Sequence, residues 1–221
     1  MERTLVIAPH PDDETLGVGG TIFRRIHEGN LVAWLIVTSI DSKDDSKKKE
    51  LAVQKKSIEA VANLYSFSNV FEIGMPTTKL DLIPMNDLVQ SISKVLLEFN
   101  PNEIFVPHWG DVHSDHRTVF ESVASSSKWF RNLSINRILA YETQSESSFG
   151  LVPNERFVPN TYIDVSQFLE QKISAMKIYD SEIGVHPFPR SEDAIRALAM
   201  VRGAESGFQY AESFQLLLDR R

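Results

Sequence analysis

The sequence predicts an α/β fold of Rossmann-like type: a mostly parallel sheet with helices on both faces, in a single domain with a C-terminal extension packed on it. Three observations predict it. Short apolar runs alternate four times with segments of helical period, which calls for parallel strands joined by crossover helices. The first two runs, Leu5–Ala8 and Leu31–Thr38, are almost wholly apolar, as in strands buried on both faces, instead of alternating with polar residues. The chain has 221 residues and is 42% hydrophobic, enough for one domain with a normal core.

Taken in order, Leu5-Val6-Ile7-Ala8 reads as a buried strand, and residues 14–28 as a helix closed by Gly29-Asn30. Leu31 to Thr38 is a second buried strand. Ser42 to Glu50 is a charged run with three consecutive lysines, expected as a solvated loop or first helical turn. A helix to about Tyr65, a strand around Val70–Ile73, a helix from Asp87 to Phe99 and a strand from Glu103 to Val106 follow. Next come a helix from Asp115 to Phe130 and a strand from Ile135 to Glu142. Beyond Gly150 the pattern loosens into a strand at Tyr162–Val165 and helices at Gln167–Tyr179 and Glu192–Arg202. Residues 1–143 are thus expected to form the core. Residues 144–221, too few to bury much alone, are expected to fold onto it and complete a substrate cleft.

The net charge of −7 argues against a nucleic-acid binder, which carries a basic stripe. The absence of cysteine removes disulfides, thiolate catalysis and Cys-type zinc sites. The first apolar run is too short for a signal peptide, and no stretch approaches the ~20 apolar residues of a membrane span. A cytoplasmic protein is expected, with a small-molecule or glycoconjugate as its partner.

Chemistry concentrates in two stretches, each just past a strand. In doubly wound sheets ligands sit outside the carboxyl ends of the strands. The first stretch, Ala8-Pro9-His10-Pro11-Asp12-Asp13-Glu14, places an imidazole and two adjacent carboxylates there. Glycines 17, 19 and 20 do not spell a dinucleotide loop and lie past three acids that would repel a pyrophosphate. The second stretch, His108-Trp109-Gly110-Asp111-Val112-His113-Ser114-Asp115-His116, holds three of the six histidines within nine residues. His10, Asp13 and His116 could form a two-histidine, one-carboxylate set that leaves zinc an open coordination position. Alternatively, Ser114 or Asp115 caps the following helix with His113 packed against it.

His10-Pro11-Asp12-Asp13-Glu14 and His113-Ser114-Asp115-His116 resemble the paired motifs of the PIG-L/LmbE-like zinc-dependent de-N-acetylases. The resemblance extends to Tyr141-Glu142, to Pro159-Asn160 and to Tyr210-Ala211-Glu212. It implies one zinc ion per chain, held by His10, Asp13 and His116, with Asp12 as general base and His113 as oxyanion stabiliser or proton donor. A carboxylate partner, Asp111 or Asp115, is expected to keep His113 protonated. Where many members carry a Gly-Glu pair, this chain has Ser39-Ile40-Asp41-Ser42, so Asp41 is expected as a contact to sugar hydroxyls. Where members often carry a second-helix arginine, it offers Lys55 and Lys56. Asp111 and Arg190 complete the expected substrate contacts, Arg190 placed to meet a substrate phosphate or carboxylate. The implied reaction is hydrolysis of the N-acetyl amide of an N-acetylglucosamine-type sugar. A metal-dependent phosphoesterase is the alternative, disfavoured because two-metal sites need more bridging carboxylates.

Overall fold

The computed structural model describes residues 1–40 and 45–220. Among these, β1 (Arg3–Ala8), β2 (Leu31–Ser39), β3 (Asn69–Pro76), β4 (Glu103–Pro107), β5 (Arg137–Tyr141), β6 (Thr161–Asp164) and β7 (Ala211–Asp219) form one seven-stranded sheet. Its order is β3-β2-β1-β4-β5-β7-β6. The first five strands are parallel, and β7 enters antiparallel between β5 and β6. The helices are α1 (Asp13–His27), α2 (Lys48–Tyr65), α3 (Met85–Phe99), α4 (Ser114–Ser126), α5 (Leu169–Met176) and α6 (Glu192–Ser206).

The side-chain period of two in β1 divides the core. Val6 and Ala8 pack with Leu16, Val18 and Ile22 of α1, while Leu5 and Ile7 pack on the other face with Leu88 and Ile92 of α3 and Val119 of α4. With helices on both faces the central strands have no solvated side, which is why their sequences are largely apolar. β1 and β4 are neighbours, and strand order reverses between them. The two chemistry-bearing loops therefore leave the sheet side by side, at the crevice where such folds bind ligands.

Glycines 17 and 20 let α1 lie close to the sheet. A Cβ at Gly17 would run into the Tyr141 ring, and one at Gly20 would come within 2.7 Å of the Val165 side chain. These glycines serve helix packing, in keeping with the absence of a dinucleotide fingerprint.

Among the elements that differ from the sequence reading, α6 runs on to Ser206 and β3 to Pro76, and three further differences have a visible cause. α4 ends at Ser126, short of the expected Phe130, because the Asn132 side chain takes the Ser126 carbonyl at 2.7 Å and turns the chain away. α5 spans only Leu169–Met176 of the expected Gln167–Tyr179, leaving Tyr179 in a turn whose N–H bonds the Met176 carbonyl. β7 had no counterpart in the reading, since its start carries Glu212 and Ser213, both buried in the structure.

Burying Glu212 is possible because it is fully engaged. It accepts from the Gly20 and Thr21 backbone N–H groups at 2.8 and 2.7 Å and from Lys172 Nζ at 2.6 Å. Lys172 also donates to the Leu16 carbonyl at 2.8 Å, so the pair ties α5 and β7 to the backbone of α1. Removing one partner of a buried pair strands the other charge. Lys172→Met is accordingly expected to lower unfolding stability by about 3 kcal/mol in denaturant titrations. A loss under about 1 kcal/mol would show that this pair does not anchor the extension.

Candidate active site

The loop leaving β1 is pinned to β2, whose Thr38 donates from its backbone N–H and its hydroxyl to the Pro9 carbonyl at 3.0 and 2.8 Å. Asp13 then begins α1, and its Oδ2 lies 3.2 Å from His10 Nδ1 and 3.3 Å from His116 Nε2. His116 comes from the first turns of α4, so one carboxylate oxygen joins the β1 and β4 loops.

Each imidazole is held from behind by another carboxylate. Asp115 Oδ2 meets His10 Nε2 at 3.0 Å and also accepts from the Thr78 N–H, while its Oδ1 accepts from the Leu80 N–H. Asp111 Oδ2 meets His116 Nδ1 at 2.8 Å, and its Oδ1 accepts from Ser147 Oγ at 2.5 Å. Donor atoms of His10, Asp13 and His116 all lie within 4.8 Å of one another. Three convergent N and O donors, with outer carboxylates fixing the imidazoles, suit a divalent cation of the zinc type. His10, His113 and Asp115 form a second convergent group that shares His10.

The electrostatics follow from this crowding. Burial lowers the pKa of both histidines, but hydrogen bonds and charge from their carboxylates outweigh it, raising His10 to about 9 and His116 to about 10. The His116 charge, helped by bonds from both imidazoles, holds Asp13 well below the usual carboxylate range against the effect of burial. Burial first, and then the Asp13 charge, push Asp12 well above that range, while Arg190 pulls the other way.

Asp12 is almost fully buried, with φ 134°, a conformation L-residues rarely adopt. Two contacts hold it there. Its N–H donates to Glu14 Oε2 at 3.0 Å, and its Oδ2 accepts from an Arg190 terminal nitrogen at 2.7 Å. Glu14 is in turn fixed through Oε1 by the hydroxyls of Thr15 at 2.5 Å and Tyr179 at 2.8 Å.

Other expected residues take places different from those read in the sequence. His113 itself caps α4, its Nδ1 accepting from the Asp115 N–H at 3.1 Å, where Ser114 or Asp115 was the expected cap. The Asp115 carboxylate serves His10 instead of His113, and the Asp111 carboxylate serves His116 and Ser147. Burial, followed by the charges of His10 and His116, lowers His113 to about 4, against the expectation that a carboxylate partner keeps it protonated. Asp111, expected at the substrate, lies buried behind His116. Arg190 does reach the cleft, but it is turned onto the protein's own groups: Asp12, Glu182 at 2.8 Å and Ser145 at 2.8 Å. Asp41 lies outside the described residues.

The cleft these residues line has a volume of about 240 Å³ and also exposes Gln54, Thr77, Glu146 and Glu182. The sequence reading missed Glu146, Glu182 and Tyr179, single residues in a segment without local pattern. It also missed the positioning role of Glu14, although that residue stands within the first motif.

The profile of the family described as "PIG-L: GlcNAc-PI de-N-acetylase" matches residues 5–126, which carry both histidine motifs. The chain belongs to the PIG-L family. It is a de-N-acetylase, an enzyme acting on N-acetylated substrates of the sugar type. Among PIG-L relatives, the diacetylchitobiose deacetylase of Thermococcus kodakarensis is 26% identical over 229 residues, covering 98% of this chain and 84% of that protein. A probable N-acetyl-alpha-D-glucosaminyl L-malate deacetylase 2 of Bacillus cereus is 24% identical over 195 residues, covering 82% and 84%. In fold, the crystal structure of a conserved protein from Thermus thermophilus superposes with a TM-score of 0.80 at 24% identity, covering 100% of this chain and 97% of that one.

Asp111 offers a test of the outer carboxylates. Removing such a partner typically costs about 10–100-fold in metal affinity. Asp111→Ala is expected to weaken zinc binding by about that factor in competition with a chromophoric chelator. Unchanged affinity would mean that Asp111 does not orient His116 toward a cation.

Proposed function

We propose that the protein is a zinc-dependent deacetylase that hydrolyses the N-acetyl amide of an N-acetylglucosamine-type sugar conjugate, releasing acetate and a free amine. The observation that carries this reading is the meeting of His10, Asp13 and His116 beside a buried carboxylate, Asp12, that takes no part in that set. The relatives add a common denominator, since the names of two of them share an acetylated glucosamine-type unit while the attached group differs.

His10, Asp13 and His116 would hold the cation, which when bound supplies Lewis acidity toward the amide carbonyl and acidifies a water. Asp12, kept in place by Glu14 and Arg190, accepts a proton from the attacking water as its oxygen bonds to the carbonyl carbon. That proton then passes to the amide nitrogen, the C–N bond breaks, and acetate and the amine leave. Burial and the Asp13 charge both raise Asp12, and a cation held by Asp13 would offset the second of these, favouring the ionised form a base requires. His113 keeps Nδ1 as an acceptor in its helix cap, so its proton sits on Nε2. It is suited to donate a hydrogen bond to the oxygen that becomes negative in the transition state. The phosphoesterase alternative gains nothing from a cleft that presents Glu146 and Glu182 and whose arginine is already paired.

Purified protein is expected to bind about one equivalent of zinc, and chelation is expected to abolish acetate release reversibly. Full turnover by metal-free protein would overturn the reading. Asp12→Asn is expected to retain the metal yet lose about 10²–10⁴ in kcat, because an amide cannot take the proton. His116→Ala is expected to lose the metal, and His113→Ala to keep it with a strongly reduced kcat and little change in KM. Metal contents measured in the reverse order would exchange the two histidines.

A further inference from the structure

The catalytic cleft does not end at Gln54 and Glu182. Both residues, with Pro11 and Ile40, also wall a second cavity of about 700 Å³ between α2 and the turn after α5. The cleft alone is smaller than the roughly 300–1,000 Å³ typical of pockets that enclose a drug-sized ligand, whereas the neighbouring cavity falls within that range. A single acetylated ring placed at the cation site therefore leaves the larger space for whatever the ring is attached to.

The chemistry of that space is selective. Val53 and Ile178 present apolar surface of the kind that covers the C–H face of a sugar, and Gln54 and Ser181 add hydrogen-bonding groups. Its charged lining among the described residues is Glu50, Asp180 and Glu182 against Lys49. Arg190, which lines the cleft, already bonds Asp12, Glu182 and Ser145. An anionic attachment would lose water there and face carboxylates, and like-charge placement of this kind acts against a partner.

We propose that this cavity receives a second, uncharged saccharide unit, so that the enzyme acts on neutral N-acetylated oligosaccharides and discriminates against conjugates whose attached group is anionic. The proposal rests on the deacetylase reading above and specifies its substrate class.

The test uses the full-length zinc-loaded enzyme and amine release from N-acetylglucosamine, N,N'-diacetylchitobiose and N-acetylglucosaminyl malate. Diacetylchitobiose is expected to exceed the monosaccharide in kcat/KM by about tenfold or more, and the malate conjugate to fall below it. Val53→Trp, at an exposed helix position facing the cavity, is expected to erase the disaccharide advantage while leaving the monosaccharide within about twofold. Asp180→Lys, also exposed, is expected to raise the malate conjugate about tenfold relative to diacetylchitobiose. Equal rates on the mono- and disaccharide, a preference for the malate conjugate, or a Val53→Trp enzyme with its selectivity intact would each overturn the proposal while leaving the deacetylase reading standing. Release of no amine from any acetylated sugar would instead bring down the deacetylase reading itself.

Discussion

One oxygen of Asp13, shared between His10 and His116, joins the two halves of the site across the strand reversal in the sheet. Without a cation, two imidazoles raised far above their ordinary pKa are held together by a carboxylate pressed far below its own. A buried arrangement of this kind is costly unless each remaining polar atom is satisfied. Asp115 and Asp111 meet that condition from behind the two rings, and their other bonds reach Thr78, Leu80 and Ser147. The orientation of the donor set thus depends on a shell spread over much of the chain, which is how metal sites keep their ligands in place.

The C-terminal third is part of this machinery. Tyr179 braces Glu14, Arg190 braces Asp12, and Ser147 braces Asp111. The Lys172–Glu212 pair fastens the same region to α1, the helix that Asp13 begins. Movement of this region relative to the core would relax the left-handed backbone of Asp12, whose unfavourable conformation persists only where surrounding contacts over-determine it. This places stability and chemistry on the same contacts, so substitutions here act on both.

Much of this was legible in the sequence. Strands buried on both faces declare themselves as continuous apolar runs, and β1, β2 and β4 were read in place for that reason. β7 escaped because its first residues bury Glu212 and Ser213, and no local pattern distinguishes a satisfied buried glutamate from a solvated one. Asp111 and Arg190 were drawn to the right region, but Ser147 and Asp12, which help to fix their orientation, lie 36 and 178 residues away along the chain. Their orientation is a matter of packing that spacing along the sequence does not encode.

The amino-acid sequence by itself determined the sheet-and-helix plan and the residue types available at two strand ends, because strand periodicity and loop chemistry are local properties. Only the tertiary structure decided that the two loops meet at the β1–β4 reversal, that Asp115 backs His10 and not His113, and that Arg190 is consumed by Asp12 and Glu182. Each of those outcomes is a competition among several carboxylates for a few cations in a buried space. Distance and desolvation settle such competitions, and both exist only once the chain has folded.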